Sequence, residues 1–279
     1  MRVTSLHIYP VKSGRSISLD QAHLRPRGLA RDRRWIITDE NNRFLTQREC
    51  GALARIIATP TDIGVTLSTD GGDAIDIAFP STKVREAVVV WKDTVLALPA
   101  GTVADLWVSA IAGRPARLLF MDDDADRNTP GKWGAKTPVS FADGFPLLVT
   151  STSSLSDLNN EITKGAGESV GMERFRPNIV IEGSDPWAED YWSLLEIGDV
   201  TIELVKPCAR CLVTTKDQRT GEVKGRAPLR TLGRIRRSTH PDLQGALFGW
   251  NAAVIKQGRI NVGDSVKVLE RRENGWPLA

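Results

Sequence analysis

The chain has 279 residues, 41% hydrophobic and 25% charged, enough for one large domain or two modest ones. Its 37 basic and 34 acidic groups leave a net charge of +3, which excludes a global polyelectrolyte attraction to nucleic acid. The one basic run, RTLGRIRR, reads as a solvated face. No apolar stretch is long enough to span a membrane, the N-terminus lacks the apolar segment of a signal peptide, and three cysteines make no disulfide framework, so a cytoplasmic protein is expected.

Strand signals fill the first hundred residues. VTSLHIY alternates until Pro10, and ISLDQAHL follows. WIITDENNRFLTQ predicts a hairpin about a polar turn, GVTLSTDGGDAIDIAF a second about Asp70, Gly71 and Gly72, and EAVVVWKDTVLAL a third about Lys92 and Asp93. The period then changes. TVADLWVSAIAG predicts a short helix that starts with Thr102, carries Asp105 three positions on in a capping-box pattern, and stops at Gly113. After RLLFM comes DDDADRNTPGKWGAKTP, an acidic segment with Pro and Gly that is expected as a mobile loop near a domain seam. FPLLVT predicts a short buried strand, and the serines of STSSLSDLNNEI suit a helix cap. NIVIEG, VTIELV, AAVIK and SVKVLE are further strands, and INVGDSV carries a tight turn at Gly263 and Asp264. The expected fold class is mainly β with inserted helices (α+β), in two barrel-like lobes.

Two of the three cysteines, Cys208 and Cys211, lie in KPCARCLVTT, directly after VTIELV. A structural zinc site needs four thiolate or imidazole ligands, and the chain adds only Cys50 and the scattered His7, His23 and His240. A thioredoxin-type pair opens a helix, whereas LVTT is β-branched and forms helices poorly. Two readings stay open on pattern alone: a pair of small buried hydrophobes, or one thiolate ligating a soft metal held mainly by a cofactor.

Seven stretches bear on that choice. They are IYPVKS at 8–13, RDRRW at 31–35, FADGFPLL at 141–148, FRPNIVI at 175–181, CARCLVTTKDQRTG at 208–221, APLRTLGRIR at 227–236 and INVGDSVKVL at 260–269. In this order, and covering nearly the whole chain, they resemble the MOSC family (the molybdenum cofactor sulfurase C-terminal domain). The likeness is nearest to the branch that holds the mitochondrial amidoxime-reducing component and the bacterial relatives that resist hydroxylated purines. One stretch departs: the family's S-C-x-G after the lysine reads SGRS here.

The resemblance implies an N-terminal MOSC β-barrel-like domain over 1–115 and a MOSC β-barrel domain over 116–273 that binds a molybdenum cofactor (Mo-molybdopterin). It implies Cys211 as metal ligand and catalytic residue, with Cys208 a structural neighbour. Lys12 and Ser13 would offer a cation and a hydroxyl to the cofactor phosphate. Arg33 would grip phosphate oxygens with its fork, and alternation would put Arg31 on the same face. Arg176 and Asn178 flank Pro177 and would point the same way in an extended segment. Asp143 and Gly144 match a cofactor-lining turn, in which Asp143 either bonds the pterin or organises the loop. Ala209 would contribute its backbone. Thr214 and Thr215 are either direct contacts or strand-surface threonines, APLRTL and Arg234 to Arg236 would line or brace the pocket mouth, and Trp187 and Trp192 read as packing residues.

The implied activity is molybdenum-dependent reduction of small N-hydroxylated compounds (hydroxylamines, amidoximes, N-hydroxylated bases) by N–O cleavage. No cysteine cluster follows residue 211, so electrons would come from a separate iron–sulfur or flavin electron-donor protein. The alternative is a sulfur- or molybdenum-cofactor-carrier protein that uses a Cys211 persulfide.

Overall fold

The computed structural model describes residues 1–279, mostly β with three α-helices. An eight-stranded sheet runs, in hydrogen-bonded order, Val266–Arg271, Trp192–Ile197, Val200–Ala209, Leu247–Lys256, Leu147–Ser151, Ile179–Glu182, Arg2–Ile8 and Ile17–Leu19. Its buried face carries Leu6, Ile8, Ile179, Ile181, Leu195, Ile202 and Leu204, each at most 2% exposed. Each such side chain contributes about 1.5–3 kcal/mol by leaving water, so this core, not the polar seams, holds the lobe together.

The other lobe is built on a four-stranded sheet, Trp35–Thr38, Arg117–Phe120, Asp93–Pro99 and Glu86–Val90, and a three-stranded one, Ile57–Thr61, Gly64–Ser68 and Ile75–Ala78. Helix Thr102–Ala112 packs against it through Ala104 and Val108. Chain order and spatial lobe part company at the N-terminus. Arg2–Ile8 pairs with Ile179–Glu182, and Gln21–Arg25 pairs with Gly258–Asn261, so Val3, Leu6, Ile8, Ala22, Leu24 and Leu29 complete the second lobe's core, while Val11 joins that of the first. The expected ISLDQAHL strand accordingly divides in two, one part in each of two sheets.

Local chemistry accounts for most element ends and for several departures. Gly113 stops the first helix in the left-handed region at φ 67°, as expected. Its N-cap is Gly101, not Thr102, and the Asp105 carboxylate instead accepts from Leu118 N, so no capping box forms. Ser151 does cap helix Thr152–Lys164, its Oγ accepting from Ser154 N at 3.1 Å. The third expected hairpin forms with Asp93 paired to Val90, which leaves Trp91 and Lys92 as the turn, one residue earlier than its composition suggests. WIITDENNRFLTQ closes as a short hairpin about residues 39–43, with a Thr38–Phe44 bridge, Leu45 N donating to Ile37 O and Asp39 N to Arg43 O, while Arg43 also bridges Val89. The acidic segment after residue 121 is tied down by Arg127, whose guanidinium reaches Asp93 at 2.9 Å and the carbonyls of Ser140 and Ala142.

The basic run is a solvated face at Arg230, Arg234 and Arg237, as expected, and only Arg236 turns inward. Helix Ala227–Ile235 pairs Arg234 with Glu161, and Arg236 is buried against Asp190 at 2.7 Å and against the Trp187 ring. Neither side chain lines the cleft: Arg234 is held by Glu161 at the surface and Arg236 by Asp190 in the interior.

Beside that pair sits Glu189, 1% exposed. Its Oε2 accepts from Ser154 Oγ at 2.8 Å, while Oε1 has no partner. Burial pushes this carboxyl up from its ordinary value. The folded state therefore binds the proton more tightly than the unfolded chain, and stability falls as pH rises through that window. Glu189→Gln removes the ionisation and is expected to melt above the wild type at pH 7.5, with the gap closing toward pH 4. Melting curves at the two pH values check this.

The lobes meet closely at Gly221, φ 77°, where a Cβ would lie 1.9 Å from the Gly51 carbonyl oxygen. Gly221→Ala is expected to cost about 2 kcal/mol or more, through clash and left-handed strain together, read by urea denaturation.

Candidate functional site

Segments 9–12 and 32–35 are laced backbone to backbone: Arg33 N donates to Tyr9 O, Trp35 N to Pro10 O, and Lys12 N to Trp35 O. Phe141 N donates to Arg33 O, which brings up the Asp143 turn. Across from them, Asn178 joins Arg2–Ile8 to Leu147–Ser151 by giving Nδ2 to His7 O and accepting from Leu148 N. The end of Val200–Ala209 completes a cleft with Ala209, Arg210 and Cys211.

All nine residues singled out from the sequence line this one cleft: Lys12, Ser13, Arg33, Asp143, Gly144, Arg176, Asn178, Ala209 and Cys211. The reason two of them get there differs from the expectation. Residues 31–33 form a turn with Arg31 and Arg33 both at positive φ, so alternation does not apply. Arg33 enters the cleft while Arg31 lies over the Phe79 ring, in a different cavity. Arg176 is also left-handed, φ 56°, ending the 3-10 turn Met172–Phe175, so the segment is not extended.

Five cations, Lys12, Arg33, Arg48, Arg176 and Arg210, face the cleft against one carboxylate, Asp143. Lys12 Nζ donates to Phe141 O at 2.8 Å and to Asp143 Oδ1 at 2.6 Å, which leaves the third N–H of the ammonium uncommitted. Burial draws the Lys12 ammonium down from its ordinary value, with Asp143 opposing. Burial alone would raise the Asp143 carboxyl, but Lys12, the Trp91 indole and Arg33 together hold it well below the usual carboxylate range. The carboxylate is 73% exposed through the open cleft, so solvent screens the pair and its role is positional.

Tyr9 is sandwiched between two guanidiniums. Arg33 lies 4.5 Å and Arg176 4.2 Å from its ring centroid, and its hydroxyl donates to Pro177 O. Burial pushes the phenol up to about 12, so it stays neutral. Behind it, Asp32 is 2% exposed, accepts from Tyr9 N at 2.8 Å and pairs with Arg33 at 2.5 Å. Arg176 has no carboxylate partner and donates only to Gln218 Oε1 at 2.9 Å. Burial, with repulsion from Arg33, draws it down to about 10. An anion in the cleft would relieve both effects.

Cys211 is exposed and makes no side-chain hydrogen bond, whereas Cys208 Sγ accepts from Arg210 Nη1 at 2.9 Å. LVTT after Cys211 is a 3-10 turn, and Thr214 and Thr215 are buried with their hydroxyls on the Cys211 and Leu212 carbonyls. They are neither strand-surface residues nor cleft contacts. Hydroxyls that satisfy carbonyls three residues back stabilise such a turn despite poor helix propensity.

The donor set fits an elongated, phosphate-bearing cofactor with a metal. Positive charge is in surplus, the buried Gln47 Oε1 and Arg210 Nε in the lining have no partner, and a free thiol stands at the opening. The cleft is narrow, about 140 Å³, and open, so such a group would lie along it. A larger cavity of about 870 Å³ adjoins Arg31, Arg34 and Trp35, but it contains no thiol, and Arg34 is committed there to Met121 O and Asp123. Tyr9, Asp32 and Gln218 were missed by sequence reasoning although they lie inside the quoted motifs. Arg48, Arg127 and Trp91 lie outside every motif and carry no local signal.

Comparison with known proteins matches the MOSC domain to residues 136–267 and the MOSC N-terminal beta barrel domain to residues 1–115. The human protein "Mitochondrial amidoxime-reducing component 1" is 31% identical over 96% of this chain and 82% of its own length. Its mouse counterpart is 33% identical over the same shares, and the rat "Mitochondrial amidoxime reducing component 2" is 31% identical over 95% and 82%.

Proposed function

Because this chain belongs to the MOSC family, we propose that it is a molybdenum-cofactor-dependent oxidoreductase that reduces N-hydroxylated compounds by N–O cleavage. The observation that carries the reading is the convergence of an exposed, unpartnered Cys211 thiol with five cations and one carboxylate in a single cleft. In the balanced reaction, an N-hydroxyl compound, two electrons and two protons give the N–H compound and water.

When bound, the molybdenum cofactor supplies the two-electron chemistry. Cys211 is the residue that would hold the metal, its thiolate being a soft ligand. Lys12, Arg33, Arg176 and Arg210 would hold the anionic part, by the spare ammonium N–H and by guanidinium forks. Asp32 and the Tyr9 ring fix the fork of Arg33 before anything binds. Asn178 spends its amide on His7 O, Leu148 N and Arg33, so it acts as a brace of the cleft wall. Asp143 reaches solvent at the opening, while Lys12 lies buried behind it with one N–H free to meet an anion.

The two electrons come from a separate iron–sulfur or flavin protein. The named amidoxime-reducing relatives support an enzyme, and the three free cysteines suit a reducing compartment, of which the cytoplasm is the one proposed, although those relatives are named as mitochondrial. No helix is long and apolar enough to cross a membrane. The test is metal and pterin analysis of protein made in a host that builds the cofactor, followed by assay with benzamidoxime and hydroxylaminopurine and an artificial reductant. About one molybdenum per chain with turnover is expected. A Cys211 persulfide with no turnover would overturn the reading in favour of a carrier.

A further inference from the structure

Hairpin Glu86–Val90 and Asp93–Pro99 reaches from the first lobe to the rim of the cleft, and its turn presents Trp91. The indole Nε1 donates to Asp143 Oδ1 at 3.2 Å, the same atom that pairs with Lys12. The ring meets Phe44 edge-on at 5.0 Å, and the Arg48 guanidinium lies 4.5 Å from its centroid. Trp91 nevertheless stays 44% exposed.

Two features set this tryptophan apart from a packing residue. It has φ 58° at the first position of a two-residue turn, a place that glycine fills without strain. Ser13, Arg33 and Arg176 share the left-handed conformation, so backbone strain gathers around the cleft, as it does at functional sites. Moreover, the Arg48 guanidinium over the ring makes no hydrogen bond or ion pair of its own, so the ring face is covered only by a side chain that is free to leave.

We propose that Trp91 is a stacking platform that selects flat, conjugated N-hydroxylated substrates over compact aliphatic ones, with Arg48 yielding the ring face as the substrate enters. The inference rests on the proposed reductase function for its substrate class. Trp91 holds the conjugated body of the substrate, and Asp143, fixed by the indole and by Lys12, marks where its polar end meets the cleft.

The test compares benzamidoxime with acetamidoxime on the full, cofactor-loaded chain. Binding is first measured by calorimetry without reductant, and kcat and KM are then measured with reductant. Trp91→Gly keeps the turn by placing the residue that suits its φ, and Trp91→Phe keeps a ring. Stacking on an aromatic ring supports a preference of about tenfold or more. The wild type is expected to bind benzamidoxime more tightly by that factor, Trp91→Gly to lose the preference through KM, and Trp91→Phe to retain most of it. An equal loss for both ligands, or an unchanged preference in Trp91→Gly, overturns the proposal by reducing Trp91 to a structural bracket. If the preference in binding disappears in Trp91→Gly while no variant turns over either compound, the platform stands and the reductase reading falls.

Discussion

Cys211→Ala is expected to strip molybdenum from the purified protein and to lower N-reductase activity by more than about a hundredfold. Residues that merely orient a metal ligand cost 10–100-fold when changed, on the order of 1.4–2.7 kcal/mol, so loss of the ligand itself exceeds that. Folding should be indifferent. The thiol is exposed and unbonded, and the turn after it is held by the Cys211 carbonyl, which alanine keeps. Surface changes of this kind stay within about 0.5 kcal/mol. Metal per chain, turnover and a melting curve measure the three quantities. Cys208→Ala gives the contrast: it loses the Arg210 contact but should keep the metal. Full activity in Cys211→Ala would refute the assignment of the thiol as ligand.

Asp32→Ala should be the most damaging change that leaves every proposed cofactor contact chemically in place. Its carboxylate is the only one that pairs with Arg33, and it also receives Tyr9 N. Without it, two guanidiniums share one buried phenol, and the nearest remaining carboxylate, Asp143, is already paired with Lys12. Breaking a buried ion pair by removing one partner costs about 3–5 kcal/mol. Asp32→Asn retains an acceptor for Tyr9 N and should lose less. Cofactor-free protein is the sample for denaturant titration, since bound cofactor would add its own stabilisation. Metal content of protein made in a cofactor-building host should fall for both variants, because Arg33 is then no longer fixed. An Asp32→Ala protein as stable as the wild type would show that the pair does not organise the cleft.

Much of this could be read directly from the order of residues. Alternation announces strands such as Val266–Arg271, Gly113 ends its helix, and Ser151 caps the next, because each depends on neighbours within a few positions. The cysteine pair and its flanking motifs pointed to the cleft residues through family resemblance, and all nine do lie together. Local pattern failed where the backbone leaves the regular regions. Arg31 and Arg33 part company, and Arg176 reaches the cleft from a left-handed cap, because alternation says nothing about a turn.

What chain order does not carry is long-range geometry. The N-terminal strand belongs to the second lobe because, beside its neighbour Ile17–Leu19, Arg2–Ile8 pairs with the distant Ile179–Glu182. Arg127 anchors the Asp143 turn, Asp32 backs Arg33, and Trp91 arrives from a hairpin in the first lobe. Asp32 is the sequence neighbour of Arg33, but its hold on Tyr9 N 23 residues away, like the Arg127 and Trp91 contacts, joins segments with no periodic relation, so only tertiary packing brings them together. Propensity and motif act over a few residues, whereas a cleft's charge balance is a sum over whatever the fold carries to one place.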